Sequence, residues 1–201
     1  MKTPLVLALI FVSTVSAFSE FVKIEFSISP TVRGIPKEAS LDFVRNAVVF
    51  KDSIPISAGK DLLSPFSTAQ DLILKGNWLL QTGNFSDYRL HIGKPSGLSN
   101  DDLTLMTSDA IFKKQQEFLQ KVTKFEPLFL IEKDPNKIFF LIYRLSGEGT
   151  SVIYIDSVIK NDNGSYSYYG GQMSSPEIIA LWTGLVQEEI THKKCVLAKP
   201  K

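Results

Sequence analysis

The chain predicts an α+β fold, a curved antiparallel sheet with a C-terminal three-strand meander packed against several helices. Three observations predict it. First, Ile138 to Gln172 reads IFFLIYRL, a loop SGEGT, SVIYIDSVIK, a turn NDNG and SYSYYGGQ. These are three runs rich in β-branched and aromatic residues, separated by turn residues. Asn163-Gly164 predicts the second hairpin, because both residues tolerate the positive φ of a type I′ turn. Second, Val22 to Ser29 alternates Val22, Ile24, Phe26 and Ile28 with Lys23, Glu25, Ser27 and Ser29, the period of a strand with one wet face. Third, segments between these two regions place apolar residues at helical spacing.

In chain order, Met1 to Ala17 reads as a secretory leader, with Lys2 as the basic start, Leu5 to Val12 as the apolar run and Val15-Ser16-Ala17 before the cut. Pro30, Gly34 and Pro36 end the first strand. Pro36 to Phe50 reads as a helix, with Leu41, Val44 and Val48 on one face. Asp52 to Gly59 is a loop. Ser64-Pro65 opens a second helix as N-cap and first helical residue, Phe66, Ala69, Leu72 and Ile73 give its apolar face, and Gly76 ends it. A short apolar piece Trp78–Leu80, a loop Thr82-Gly83-Asn84 and a short strand Tyr88–Ile92 follow. Ser99 and Asp102 form an acidic capping box for a helix from Asp101 to Glu126 that breaks near Thr107-Ser108 and stops before Pro127. Phe129–Ile131 is a short strand and Asp134-Pro135-Asn136 a turn. After the meander, Ser175-Pro176-Glu177 opens a last helix ending near Ile190. The domains are therefore a leader at 1–17, one α+β domain at 18–190 and a polar tail at 191–201.

The 201 residues, 44% hydrophobic and 21% charged, suffice for one domain with its own core. Removing the leader takes away Lys2 and leaves 21 basic against 21 acidic residues. A neutral domain has no long-range field to steer nucleic acid or anionic lipid. After the leader nothing is long and apolar enough to span a membrane. The lone Cys195, in a polar tail, rules out an intrachain disulfide and has nothing packed around it to activate a thiol.

Chemistry is sparse. His91 and His192 lie far apart, with no His-x-x-x-His, no paired Cys and no Asp-rich calcium loop, so neither a metal site nor any other cofactor is predicted. There is no Gly-x-Ser-x-Gly and no phosphate loop, so no catalytic residue is assigned. One constellation stands out. If Leu145 pairs with Ser151, then Arg144, Ile142 and Phe140 share a sheet face with Val152, Tyr154 and Asp156. Arg144, Tyr154 and Asp156, with His91, would then bind a polar small molecule in a concave face. The plainer alternative is a solvent-facing ion pair beside a tyrosine that covers the sheet. Tyr166, Tyr168 and Tyr169 on the last strand offer an interaction surface, or are simply good strand residues. Asn84-Phe85-Ser86 and Asn163-Gly164-Ser165 match the glycosylation acceptor pattern.

The helix TAQDLILKGNW, Thr68 to Trp78, runs through a Gly-Asn step into strand-like sequence. With FFLIYRL and SVIYIDSVIKNDNGSYSYY it resembles the nuclear-transport-factor-2-like superfamily, also called the SnoaL-like or cystatin-like cone, over about Ser64 to Gln172. The resemblance implies a curved sheet wrapped on helices around a pocket, in a superfamily that spans isomerases, dehydratases and non-catalytic binding modules. This chain departs from it by a strand and helix before Ser64 and a helix after the meander. The function expected is an exported, periplasmic or extracellular, non-catalytic binding or interaction module. The alternative is a small-molecule enzyme of isomerase, dehydratase or hydrolase type with an acid/base site in a cone-shaped pocket. The partner classes left open are a polar small molecule, a protein, and a second copy of the chain in a homodimer.

Overall fold

A computed structural model describes residues 20–28, 41–95, 99–100, 104, 108–170, 177–178 and 181. The fold is α+β, built on one curved antiparallel sheet. Its strands are β1 (Glu20–Ile28), β2 (Leu41–Val49), β3 (Ile54–Pro55), β4 (Val122–Asp134), β5 (Ile138–Gly147), β6 (Thr150–Lys160) and β7 (Tyr166–Tyr168). They lie in the order β1-β2-β4-β5-β6-β7, with β3 added on β4. Between β3 and β4 come a 3-10 turn over Ile56–Asp61 and the helices α1 (Ala69–Gln81), α2 (Phe85–Ile92) and α3 (Asp109–Leu119). The leader, the capping residue Asp102, Gln172, His192 and the tail with Cys195 lie outside the described residues.

The meander is where the β-branched runs place it. Its second turn differs in type. Gly164 has φ +82°, but Asn163 does not take positive φ. Gly164 N donates to Asn161 O at 2.8 Å and Asn161 N to Ser165 O at 2.8 Å, the bonding of a longer loop with one left-handed glycine. Asn163 Oδ1 instead accepts from Ser165 N at 3.0 Å, a local side-chain turn.

Four elements between Pro36 and Glu126 correct the sequence reading. Leu41–Val49 is not helix but strand β2, paired residue for residue with β1 from Glu20↔Val49 to Ile28↔Leu41; the hairpin partner decides a segment that Val44, Val48 and Val49 make an equally good strand. Helix α1 starts at Thr68, whose Oγ1 accepts from Asp71 N at 3.1 Å, and Ser64-Pro65 lies in the preceding turn. The helix runs through Gly76 and ends at Gln81. Tyr88–Ile92 belongs to α2, capped by Asn84, rather than to a strand. The helix before Pro127 breaks at Ser108, an extended N-cap, as the sequence predicts, with Asn100 and Thr104 helical before it; α3 then ends at Leu119 rather than Glu126, and β4 already begins at Val122.

Pro127 sits inside β4, at a bulge between Pro127 and Phe129 in the pairing with β5. Proline is tolerated there because the ladder is interrupted anyway. The bulge also reverses the alternation. Phe125 and Val122 face the helices, packed with Leu72, Ile73, Leu74, Phe112 and Leu119. Past the bulge, Phe129 and Ile131 face the other side, packed with Phe140, Ile142, Ile155, Ile178 and Leu181. The sheet thus carries a core on each face, which is why β5 is apolar on both sides of its pleat. On the second face Glu177, nearly fully buried, accepts from Arg45 Nε at 2.8 Å and pairs with Lys133 Nζ at 2.7 Å, fixing the helical residues Glu177, Ile178 and Leu181 to the sheet.

Candidate functional site

The register of β5 and β6 decides which predicted residues meet. Leu145 pairs with Val152, not with Ser151, and the series continues through Tyr143↔Tyr154 and Leu141↔Asp156. The loop is two residues, Glu148-Gly149, rather than the five of SGEGT, because both strands run on to Gly147↔Thr150. A one-residue change of register moves every side chain to the other face. Arg144 therefore does not share a face with Tyr154 and Asp156. It stands opposite Ile153, half-exposed, 3.9 Å from Glu126 Oε2, a surface pair of small energetic weight.

Tyr154 and Asp156 instead point to the helix-covered face. Tyr143 Oη donates to Asp156 Oδ2 at 2.7 Å. The Tyr143 and Tyr154 rings stack at 5.7 Å between centroids and 18° between planes. Asn77, buried in α1, donates to Ile73 O at 3.0 Å. Burial pushes the Asp156 carboxyl above its ordinary range, and the Tyr143 hydrogen bond pulls partly against that. Burial likewise raises Tyr143, Tyr168 and Tyr88, with the Asp156 charge adding to each. All three phenols therefore keep their protons at neutral pH, and Tyr143 donates a hydrogen bond to the carboxyl.

His91 joins this cluster from the other side. Its Nε2 lies 2.8 Å from Leu72 O; a carbonyl only accepts, so Nε2 carries the proton. The ring packs edge-on against Tyr168 at 5.6 Å and Phe66 at 5.1 Å. Burial holds the imidazole below its usual range, the Leu72 bond working against it. Tyr168 thus touches His91 and feels the Asp156 charge. Its hydroxyl occupies the space where a side chain at Gly76 would be, so β7 closes directly on the α1 backbone. Tyr166 packs on Phe139 at 5.9 Å, and Tyr169 N donates to Ser157 O at 2.9 Å. Tyr166, Tyr168 and Tyr169 are all half-buried, and the first two lend their rings to the core under the helices.

The open space lies outside this cluster. A groove of about 520 Å³ runs between the segment after the 3-10 turn, α1 and α2. Its apolar wall is Leu62, Leu63, Phe66, Trp78, Leu79 and Leu90, and His91, Lys75, Asn84 and Asp87 supply polar groups. Lys75 Nζ sits 4.6 Å over the Trp78 ring and donates to Lys60 O at 3.0 Å. Leu63 and Leu90 are 80% and 78% exposed, the large hydrophobics that stand open among the described residues. Of the residues singled out in the sequence, His91 and the acceptor-pattern Asn84 reach this groove. Trp78, Leu63 and Leu90 were legible only as apolar residues, because the groove exists through three separate elements. A second recess of about 430 Å³ by α3 and the β5–β6 turn mixes Lys114 and Lys121 with Glu117 and Glu148. Among the described residues no group of three His, Cys, Asp or Glu side chains is placed to hold a metal ion, and no helix is long and apolar enough to cross a membrane. No family model, no curated protein and no solved structure matches the chain.

Proposed function

We propose that this chain is a non-catalytic binding or interaction module, exported by Met1–Ala17, whose contact surface is the groove between α1 and α2. The observation that carries the reading is that Leu63 and Leu90, 80% and 78% exposed, line the same recess as Trp78 and Phe66. Contiguous exposed apolar surface with polar groups at its rim marks a contact site, and the recess has the volume of a ligand site.

The enzyme reading draws on one feature, the neighbourhood of His91, Tyr168 and Asp156. Its carboxyl is engaged by Tyr143 at 2.7 Å and His91 Nε2 by Leu72 O at 2.8 Å, which favours a packed structural cluster over an acid/base pair. Titration with the apolar fluorescent dye 8-anilinonaphthalene-1-sulfonate separates the readings. Leu63→Glu or Leu90→Glu is expected to weaken dye binding about tenfold, equivalent to ~1.4 kcal/mol, while Asp156→Asn leaves it unchanged. A dye response that follows Asp156→Asn and ignores both leucines would overturn the proposal.

A further inference from the structure

We infer that the groove is the twofold interface of a homodimer; this rests on its reading as a contact surface and names the partner. Three features of the patch select a second copy. The first is size. A small molecule seated against Trp78 would leave the outward sides of Leu63 and Leu90 wet, since each keeps 80% and 78% of its surface in solvent. Covering both needs a partner as broad as the patch, and their exposure is costly until something covers them.

The second is shape. A twofold contact brings the same patch together from both sides, so one surface must supply both the projection and the recess that receives it. This patch does. Leu63 and Leu90 project, and the groove of about 520 Å³ between them and Trp78 is the receiving space. The third is charge. The rim holds one cation, Lys75, and one anion, Asp87, so a second copy brings to it the same two charges of opposite sign. A partner recognised by charge of one sign would call for a rim of the opposite sign. The patch is neutral and self-complementary. The second recess, with charges of both signs but no projecting apolar residue, lacks the first two features.

Sedimentation equilibrium of the full chain across a concentration series tests this. Wild type is expected to approach the two-chain mass, and Leu63→Glu and Leu90→Glu each to raise the dissociation constant at least about tenfold. Both positions are exposed in the single chain, so far-UV circular dichroism and Tm of the variants stay near wild type. Lys75→Glu is expected to weaken the dimer as well, and raising the salt concentration to weaken the wild type. Dye bound per chain falls as the dimer forms, because dye and partner compete for one surface. A wild type that stays monomeric up to about 1 mM, or a dimer indifferent to both leucine substitutions, overturns the inference. The dye distinguishes the failures. A monomer whose dye binding is lost on Leu90→Glu still has the groove as a contact surface for another partner. A monomer whose dye binding ignores Leu63 and Leu90 loses both conclusions.

Discussion

Asp156 and Tyr143 show how one hydrogen bond sets the state of a buried group. Burial raises the carboxyl, and the 2.7 Å bond from Tyr143 restrains the rise. A group whose folded pKa is raised contributes most to stability below its unfolded value and loses that contribution as pH rises through the folded value. Ionising Asp156 therefore costs stability as pH rises through its folded value, and the bond from Tyr143 offsets part of that cost. Tyr143→Phe is expected to cost about 1.5–3 kcal/mol at pH 7, the range for a bond to a charged group, and only about 0.5–1.5 kcal/mol near pH 3.5, where the carboxyl is protonated. Urea unfolding of both proteins at the two pH values measures the difference, and an equal loss at both would mean that Asp156 is already neutral at pH 7. The sequence gives no sight of this pair, because a register one residue off, Leu145 opposite Ser151 instead of Val152, sets Arg144, rather than Tyr143, on the side of Asp156.

At the scale of elements, α1 is the piece the sequence half reveals. Its apolar positions are plain, but a Gly-Asn step reads as a stop. Helix α1 continues through it because the packing wants no side chain at Gly76, where the Tyr168 hydroxyl and His91 Nε2 lie against the backbone. Helix propensity alone makes Gly76→Ala stabilising by about 1 kcal/mol. Collision with Tyr168 opposes it, and overpacking of a close contact costs about 1–3 kcal/mol. The net expectation is a loss of stability, partly recovered in the double variant with Tyr168→Phe, which removes the obstructing oxygen. Denaturation midpoints of the two single variants and the double give the coupling directly. Gly76→Ala more stable than wild type would mean that β7 does not close on α1. Strand β2 and helix α2 were misread for a related reason, since each is decided by elements outside its own segment, β1 and β4 for one and α1 with β7 for the other.

The whole molecule turns on β5, whose successive residues feed two cores. Leu141, Tyr143 and Leu145 pack under the helices, while Phe140 and Ile142 pack on the opposite face with Ile178 and Leu181. The meander itself was legible from its β-branched runs and turn residues. The second core was not, because it depends on the bulge after Pro127 reversing the alternation of β4, and Pro127 reads in sequence as the end of a helix. Sharing one strand ties the two cores into one cooperative unit: a residue lost from either face loosens the ladder that both need. Phe140 and Leu141 are both fully buried, so Phe140→Ala is expected to cost about 3–5 kcal/mol and Leu141→Ala about 2–5 kcal/mol. Each should move a single transition, with far-UV circular dichroism and tryptophan fluorescence shifting together. Leu141 reports on the face that carries α1 and Trp78, and Phe140 on the face held by Glu177, Ile178 and Leu181. If Phe140→Ala split the transition, leaving the helix-covered face folded while the other melts, the two faces would be separate folding units and the second only a cover on a domain complete without it.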